Sequence, residues 1–363
     1  MTRDATSQDH DHDHDHDHDH DHDHDHNHSG GLRGIFSRIF HTHGHADQQQ
    51  ILASDPALAT AEGIRTVWLA LAALGATTVV QIIILIGSGS VALLADTIHN
   101  LGDALNSIPL LLAFYLARRA ADRRYTYGWG KAEDVAGIFI VLSIAVSAAI
   151  IFWESFRKLL NPEPIAFAGW VAAAAIIGFV GNEAVAWLQI RTGRRIGSAA
   201  LVADGMHART DGLTSLAVLP AVIGSVLGFP IVDPIVGIII GVVILFIVRD
   251  SARTMWHRLM DAIDPDLVDR IEQVAGDTNA VQHVHDIRVR WVGHRLHSEL
   301  HIVVDEDLPT HASHAIAESV RHELLHQIPY LSVVSVHVDP CGHSGNDHHA
   351  DLAHHDHLIQ RPA

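Results

Sequence analysis

Two stretches 108 residues apart carry the same polar residues inside apolar sequence. His99 and Asp103 stand in the first, with Asp96 three residues before the histidine. His207, Asp211 and Asp204 hold the same places in the second. The flanking pairs Ala92/Ala200, Leu93/Leu201, Leu105/Leu213 and Ser107/Ser215 match in the same register. Residues four apart share a helical face, so each stretch presents an imidazole beside a carboxylate. Two such faces brought together give two His and two Asp, a tetrahedral donor set suited to Zn²⁺. Asp96 and Asp204 fall on the same side, placed to orient the imidazoles or relay protons. Histidine titrates near neutral pH and metal binding displaces protons, so this site can alternate between Zn²⁺ and H⁺. Ionisable groups cost about 2.5–3.5 kcal/mol each in a bilayer helix, more than interhelix glue alone would warrant.

The elements that must carry these groups are apolar segments of membrane-spanning length. They read as 64–86, 91–116, 134–153, 165–189, 198–227 and 231–248, each near the roughly 20 residues a span needs. Composition agrees: the 363 residues are 48% hydrophobic and 18% charged, where soluble domains average about a quarter charged. Arg118, Arg119, Arg123, Arg124 and Lys131 follow span 2, and Arg191, Arg194 and Arg195 follow span 4. The positive-inside rule then puts both termini in the cytosol, with residence in a bacterial inner membrane. Glu183 in span 4 is a further intramembrane acid, suited to proton movement or to a bond within the bundle. The net charge of −18 argues against a nucleic-acid partner, and the lone Cys341 excludes an intramolecular disulfide.

Residues 1–60 form a His/Asp-rich tail that cannot bury a core and is expected to be disordered; it can at most chelate zinc loosely or act as a solubilising tail. The transmembrane domain spans 61–255, a soluble domain 262–340, and a second His-rich tail 341–363. The soluble domain reads as a helix at 266–276, strands at His285–Trp291 and Leu296–Val304, a helix at 311–327 and a strand at Val333–Asp339. The fold is therefore an all-α six-helix transmembrane bundle followed by a small α+β (αββαβ) domain. Alternation along the strands sets His301, His337 and Asp339 on one polar sheet face, a candidate metal site. Lys131 and Asp261 flank the membrane and could pair across the two domains.

The paired His-x₃-Asp segments, Tyr127-Gly128-Trp129-Gly130-Lys131-Ala132-Glu133 and His337-Val338-Asp339-Pro340 resemble the cation diffusion facilitator family. The resemblance implies homodimeric, proton-coupled efflux of divalent metal from the cytosol, a secondary transporter rather than an enzyme. It implies His99, Asp103, His207 and Asp211 as the transport site, with zinc favoured by the first histidine. It implies a ferredoxin-like cytosolic domain and adds His285 and His314 to its metal ligands. Zn²⁺ is then substrate and regulatory ligand, with Cd²⁺ and Co²⁺ as alternative substrates because they share its ligand types, and no further cofactor is expected. Relatives with an extra metal site after span 2 use Asp and two His; here Asp122, Tyr125 and Trp129 stand there, so that site is not expected.

Two other readings compete. His322-Glu323-Leu324-Leu325-His326 is a literal zincin motif, which would make a membrane-anchored metallopeptidase. The apolar series Ile316, Val320, Leu324, Ile328 turns both histidines toward solvent, against that role. A membrane-tethered metal sensor would keep the cytosolic histidines but would not need ligands inside the bilayer.

Overall fold

The computed structural model describes residues 56–88, 107–161 and 168–341. Helices α1 (Pro56–Ser88), α3 (Lys131–Leu160), α4 (Ala168–Ile196) and α6 (Val232–Leu259) are long and apolar enough to cross a membrane. Between α1 and α3, α2 is described over Ser107–Ala117. Helix α5 (Ala199–Val226) has 28 residues, a reach of about 42 Å, but carries Asp204, His207, Arg209 and Asp211. Ser198 caps it, its Oγ accepting from the Leu201 N–H at 3.1 Å.

Helix α5 lies at the centre of the bundle, packed along α4 and against α3 and α6. Its N-terminal half is buried almost all round, from Ala200 to Gly212, as expected for a helix with neighbours on every side. Close approach to α4 needs a glycine: a Cβ on Gly205 would lie 2.9 Å from the Ile190 backbone nitrogen. Such small-residue seams let membrane helices pack backbone to backbone.

The soluble domain follows in the order α7 (Pro265–Gly276), β1 (His283–Val292), β2 (Arg295–Val304), α8 (Thr310–Gln327) and β3 (Leu331–Pro340), the αββαβ order read from sequence. The sheet order is β1-β2-β3, antiparallel between β1 and β2 and parallel between β2 and β3. Its core joins Ile271 and Ala275 of α7, Val320 and Leu324 of α8, and Leu300, Ile302 and Val334 of the strands. The opposite sheet face stays polar.

Three boundaries differ from expectation. Helix α1 begins at Pro56, inside the segment read as tail. Helix α6 runs eleven residues past 248 to Leu259, because Arg249, Asp250, Arg253 and Arg258 are compatible with a helix beyond the lipid. Cys341, assigned to the C-terminal tail, is buried and donates its N–H to the Val304 carbonyl at 2.8 Å, lengthening the ladder.

Candidate metal centre

Within the bundle, His207 and Asp211 are both buried on α5, with His207 Nδ1 3.8 Å from Asp211 Oδ2. Asp204 is buried beside them. Its Oδ2 accepts from Ser107 Oγ of α2 at 2.8 Å and from Gln189 Nε2 of α4. The carboxylate expected to steer an imidazole thus also ties α2 and α4 to α5. His99, Asp103 and Asp96 lie outside the described residues, so one half of the expected four-ligand site is in view. Glu183 bonds within the bundle: Arg209 Nε and Nη2 donate to its two oxygens at 3.2 and 2.5 Å. That fork pins α4 to α5 between the two ligand positions.

A second cluster sits on the polar sheet face. His285 pairs with His301, and His301 with His337, in one row across the three strands. A bulge interrupts β1 between His285 and Arg288, with Asp286 at φ 51°, and bulges re-aim adjacent side chains. Asp339 lies buried beneath the row. Its Oδ2 is 3.0 Å from His301 Nδ1 and 3.2 Å from His285 Nε2, and its Oδ1 is 3.2 Å from His337 Nε2. Burial alone would raise the Asp339 carboxyl, but the His301 hydrogen bond and the imidazoles of His337, His301 and His285 hold it below its ordinary value.

The donor atoms of His285, His301 and Asp339 lie within 4.8 Å of one another. Two imidazole nitrogens and a carboxylate fit Zn²⁺ with a position to spare. His337 stands more exposed at the rim. His314, implied by the resemblance, is exposed on α8 and is not part of this group.

Residues 67–260 match the family described as the cation efflux transmembrane domain, and 263–341 match the cation efflux protein, cytoplasmic domain. The chain belongs to the cation diffusion facilitator family. The transporter is 48% identical over 318 residues to a probable cation efflux system protein of Mycobacterium tuberculosis, covering 88% of this chain and 95% of that one. It is 30% identical over 290 residues to the cation-efflux pump FieF of Yersinia pestis, covering 78% and 96%. A solved nickel form of the MamM C-terminal domain aligns over 22% of this chain and 99% of its own, at 23% identity and a TM-score of 0.21. The transporter is thus an integral membrane protein that exports divalent metal cations.

Where relatives carry an extra site, Asp122 Oδ1 accepts from the Arg124 and Tyr125 N–H groups at 2.7 Å each. Tyr125 stacks on Trp129 with ring centroids 3.9 Å apart. These side chains hold the α2–α3 loop in shape. On α8, His322 and His326 are exposed, while Glu323 accepts from Gln327 at 2.9 Å, so the zincin motif lies on a solvated helix face.

Sequence reasoning missed the joint between bundle and sheet. At the β1–β2 turn His294 is 3% exposed, and its Nδ1 lies 2.8 Å from Oε2 of Glu133, itself 1% exposed, at the start of α3. Its Nε2 lies 3.1 Å from Thr60 Oγ1 of α1. Arg258 of α6 donates to the carbonyls of Gly293 and Gly197 at 2.7 and 2.9 Å and covers the Trp291 ring at 3.8 Å. Gly293 is required there: φ is +64°, and a Cβ would stand 2.7 Å from the Gly130 carbonyl oxygen. The expected Lys131–Asp261 pair forms at 3.1 Å, but both side chains are over 40% exposed. In the sequence, the hint of the joint was a pair of acids, Glu133 and Asp134, in the first turn of a long apolar helix.

Proposed function

We propose that this transporter exports Zn²⁺ from the cytosol in exchange for protons, by alternating access around His99, Asp103, His207 and Asp211. The observation that carries the reading is the His207–Asp211 pair, buried 3.8 Å apart on the central helix, in a sequence that recurs 108 residues earlier. An imidazole and a carboxylate are ligand types that a divalent cation or protons can occupy in turn. Asp204 serves as an anchoring and proton-relay group, and Asp96 in the matching segment orients its imidazole or relays protons.

On the sheet domain, Zn²⁺ bound by His285, His301 and Asp339, with His337 at the rim, acts as a regulatory ligand, and His314 stands apart from this group. The active form is a homodimer, with both termini cytosolic, in a bacterial inner membrane. The arginines and lysine that follow spans 2 and 4 support that orientation.

The test is metal flux into proteoliposomes. Zinc uptake should follow an imposed pH gradient, exceed that of other divalent ions, and vanish in Asp211→Ala. Flux indifferent to the gradient would remove proton coupling. Flux retained by Asp211→Ala would remove the site.

A further inference from the structure

Two cavities meet at the level where the bundle joins the sheet domain. The first is a chamber of about 650 Å³ whose lining includes Thr60, Arg118, Arg119, Arg295, His297 and Ser332, with no carboxylate among its described lining residues. The second is an apolar groove of about 470 Å³ between α2 and α3, walled by Leu112, Leu116, Val135 and Phe139. Gly128 and Trp129 line both, so the groove and the chamber lie side by side at that loop. Leu112, Val135 and Phe139 are exposed along membrane helices, and the groove therefore faces the hydrocarbon layer beside the chamber.

The chamber is electropositive by construction. Arg118 and Arg119 are exposed and form no ion pair with any described residue; Arg119 instead lies over the Trp129 ring at 5.8 Å. Arg295 reaches Thr60 Oγ1 at 3.5 Å. Burial, followed by the charges of Arg290 and Arg295, pushes the His297 imidazole below its ordinary value, as expected where cations crowd. Volumes of this order hold small-molecule groups. Basic pockets between helices at a membrane surface take anionic lipid headgroups. Trp129, Tyr125 and Tyr127 around the mouth are the aromatic residues that favour the interfacial layer.

We propose that the chamber and groove together bind one anionic phospholipid, its phosphodiester among Arg118, Arg119 and Arg295 and an acyl chain along the α2–α3 groove. Charge complementarity selects the headgroup, and the adjacent apolar groove selects a lipid over a free anion. A bound lipid would brace the α2–α3 loop against the β1–β2 turn on the side of the transporter that carries the sheet.

The test uses delipidated full-length protein in detergent, with lipid retention read by native mass spectrometry. Dioleoylphosphatidylglycerol should be retained over dioleoylphosphatidylcholine. Near-surface cations are worth about fivefold each in binding an anionic lipid, so Arg118→Gln/Arg119→Gln should reduce that preference by about 30-fold. Arg118→Lys/Arg119→Lys, which keeps both charges, should retain most of it. Val135→Trp, which fills the groove, should weaken retention of both lipids. Glycerol 3-phosphate at equal concentration should not displace the bound lipid. A preference unchanged in the glutamine pair, or a lysine pair as impaired as the glutamine pair, overturns the headgroup site. Displacement by glycerol 3-phosphate reduces the chamber to an anion site. A changed dimer fraction in Val135→Trp with lipid retention intact assigns the groove to a second copy of the chain.

Discussion

Removing His294 should loosen the sheet domain from the bundle at a cost well above that of any surface charge. Glu133 and His294 are 1% and 3% exposed and 2.8 Å apart. Deleting one partner of a buried pair leaves the other charge uncompensated, typically about 3–5 kcal/mol. Arg258 also attracts Glu133, which places His294→Ala near the lower end, about 3 kcal/mol. Asp261→Asn breaks only the pair with Lys131, whose members are 41% and 43% exposed, worth roughly 0–1 kcal/mol. The assay is tryptophan fluorescence on heating the purified full chain, alongside limited proteolysis of the segment between α6 and α7. His294→Ala should lower the transition by roughly 4 °C and expose that segment, while Asp261→Asn should shift it little. The double variant Glu133→Gln/His294→Ala should be less destabilised than the sum of its parts, with a coupling of about 0.5–3 kcal/mol. Equal losses in His294→Ala and Asp261→Asn, or strictly additive Glu133 and His294 effects, would refute the joint.

Three further outcomes follow from the same geometry. His297 is held below its ordinary value near 6.5, so the folded state takes up its proton less readily than the unfolded one; its contribution is intact above that pH and is lost as pH falls below it, and His297→Gln should flatten the denaturation midpoint between about pH 7.5 and about pH 5. In an Asp211→Ala background, Asp339→Ala should weaken zinc binding at least about 10–100-fold by calorimetry, whereas His322→Ala/His326→Ala should leave it unchanged. Gly205→Val drives a side chain into the Ile190 backbone of α4 and should cost about 1–3 kcal/mol, read as a lower melting temperature.

The sequence was most legible where one physical cause dominated. Apolar runs of membrane length marked the long helices, and strand alternation placed His301, His337 and Asp339 on one face. The duplicated His-x₃-Asp pattern marked His207 and Asp211 because charge inside a bilayer segment needs a reason. Partners far apart in the chain left no such pattern. Nothing local to His294 says that Glu133, 161 positions earlier, will meet its ring, and nothing local to Asp204 names Ser107 and Gln189. His285 came from resemblance alone, because the bulge after it breaks the alternation that exposed its neighbours. Helix ends were misjudged for a similar reason: hydropathy reports where lipid ends, and α6 continues past it.

The joint and the sheet cluster belong to the same two strands. His285 and His301 sit at one end of the β1–β2 hairpin, and His294 forms its other tip. Six β2 residues, 295–300, separate His294 from His301, roughly 20 Å of hydrogen-bonded ladder. A shift imposed at the metal-binding end is carried by paired backbones rather than by a flexible linker. It arrives at a turn fixed by a histidine, an arginine and a glycine with no room for a side chain. Glu133 opens α3, and Arg258 closes α6, the two helices that flank α5. On the reading proposed above, regulation of export by zinc on the sheet needs no long conformational relay. It needs only that the hairpin tip hold α1, α3 and α6 in different positions when the far end of the hairpin is drawn together by an ion.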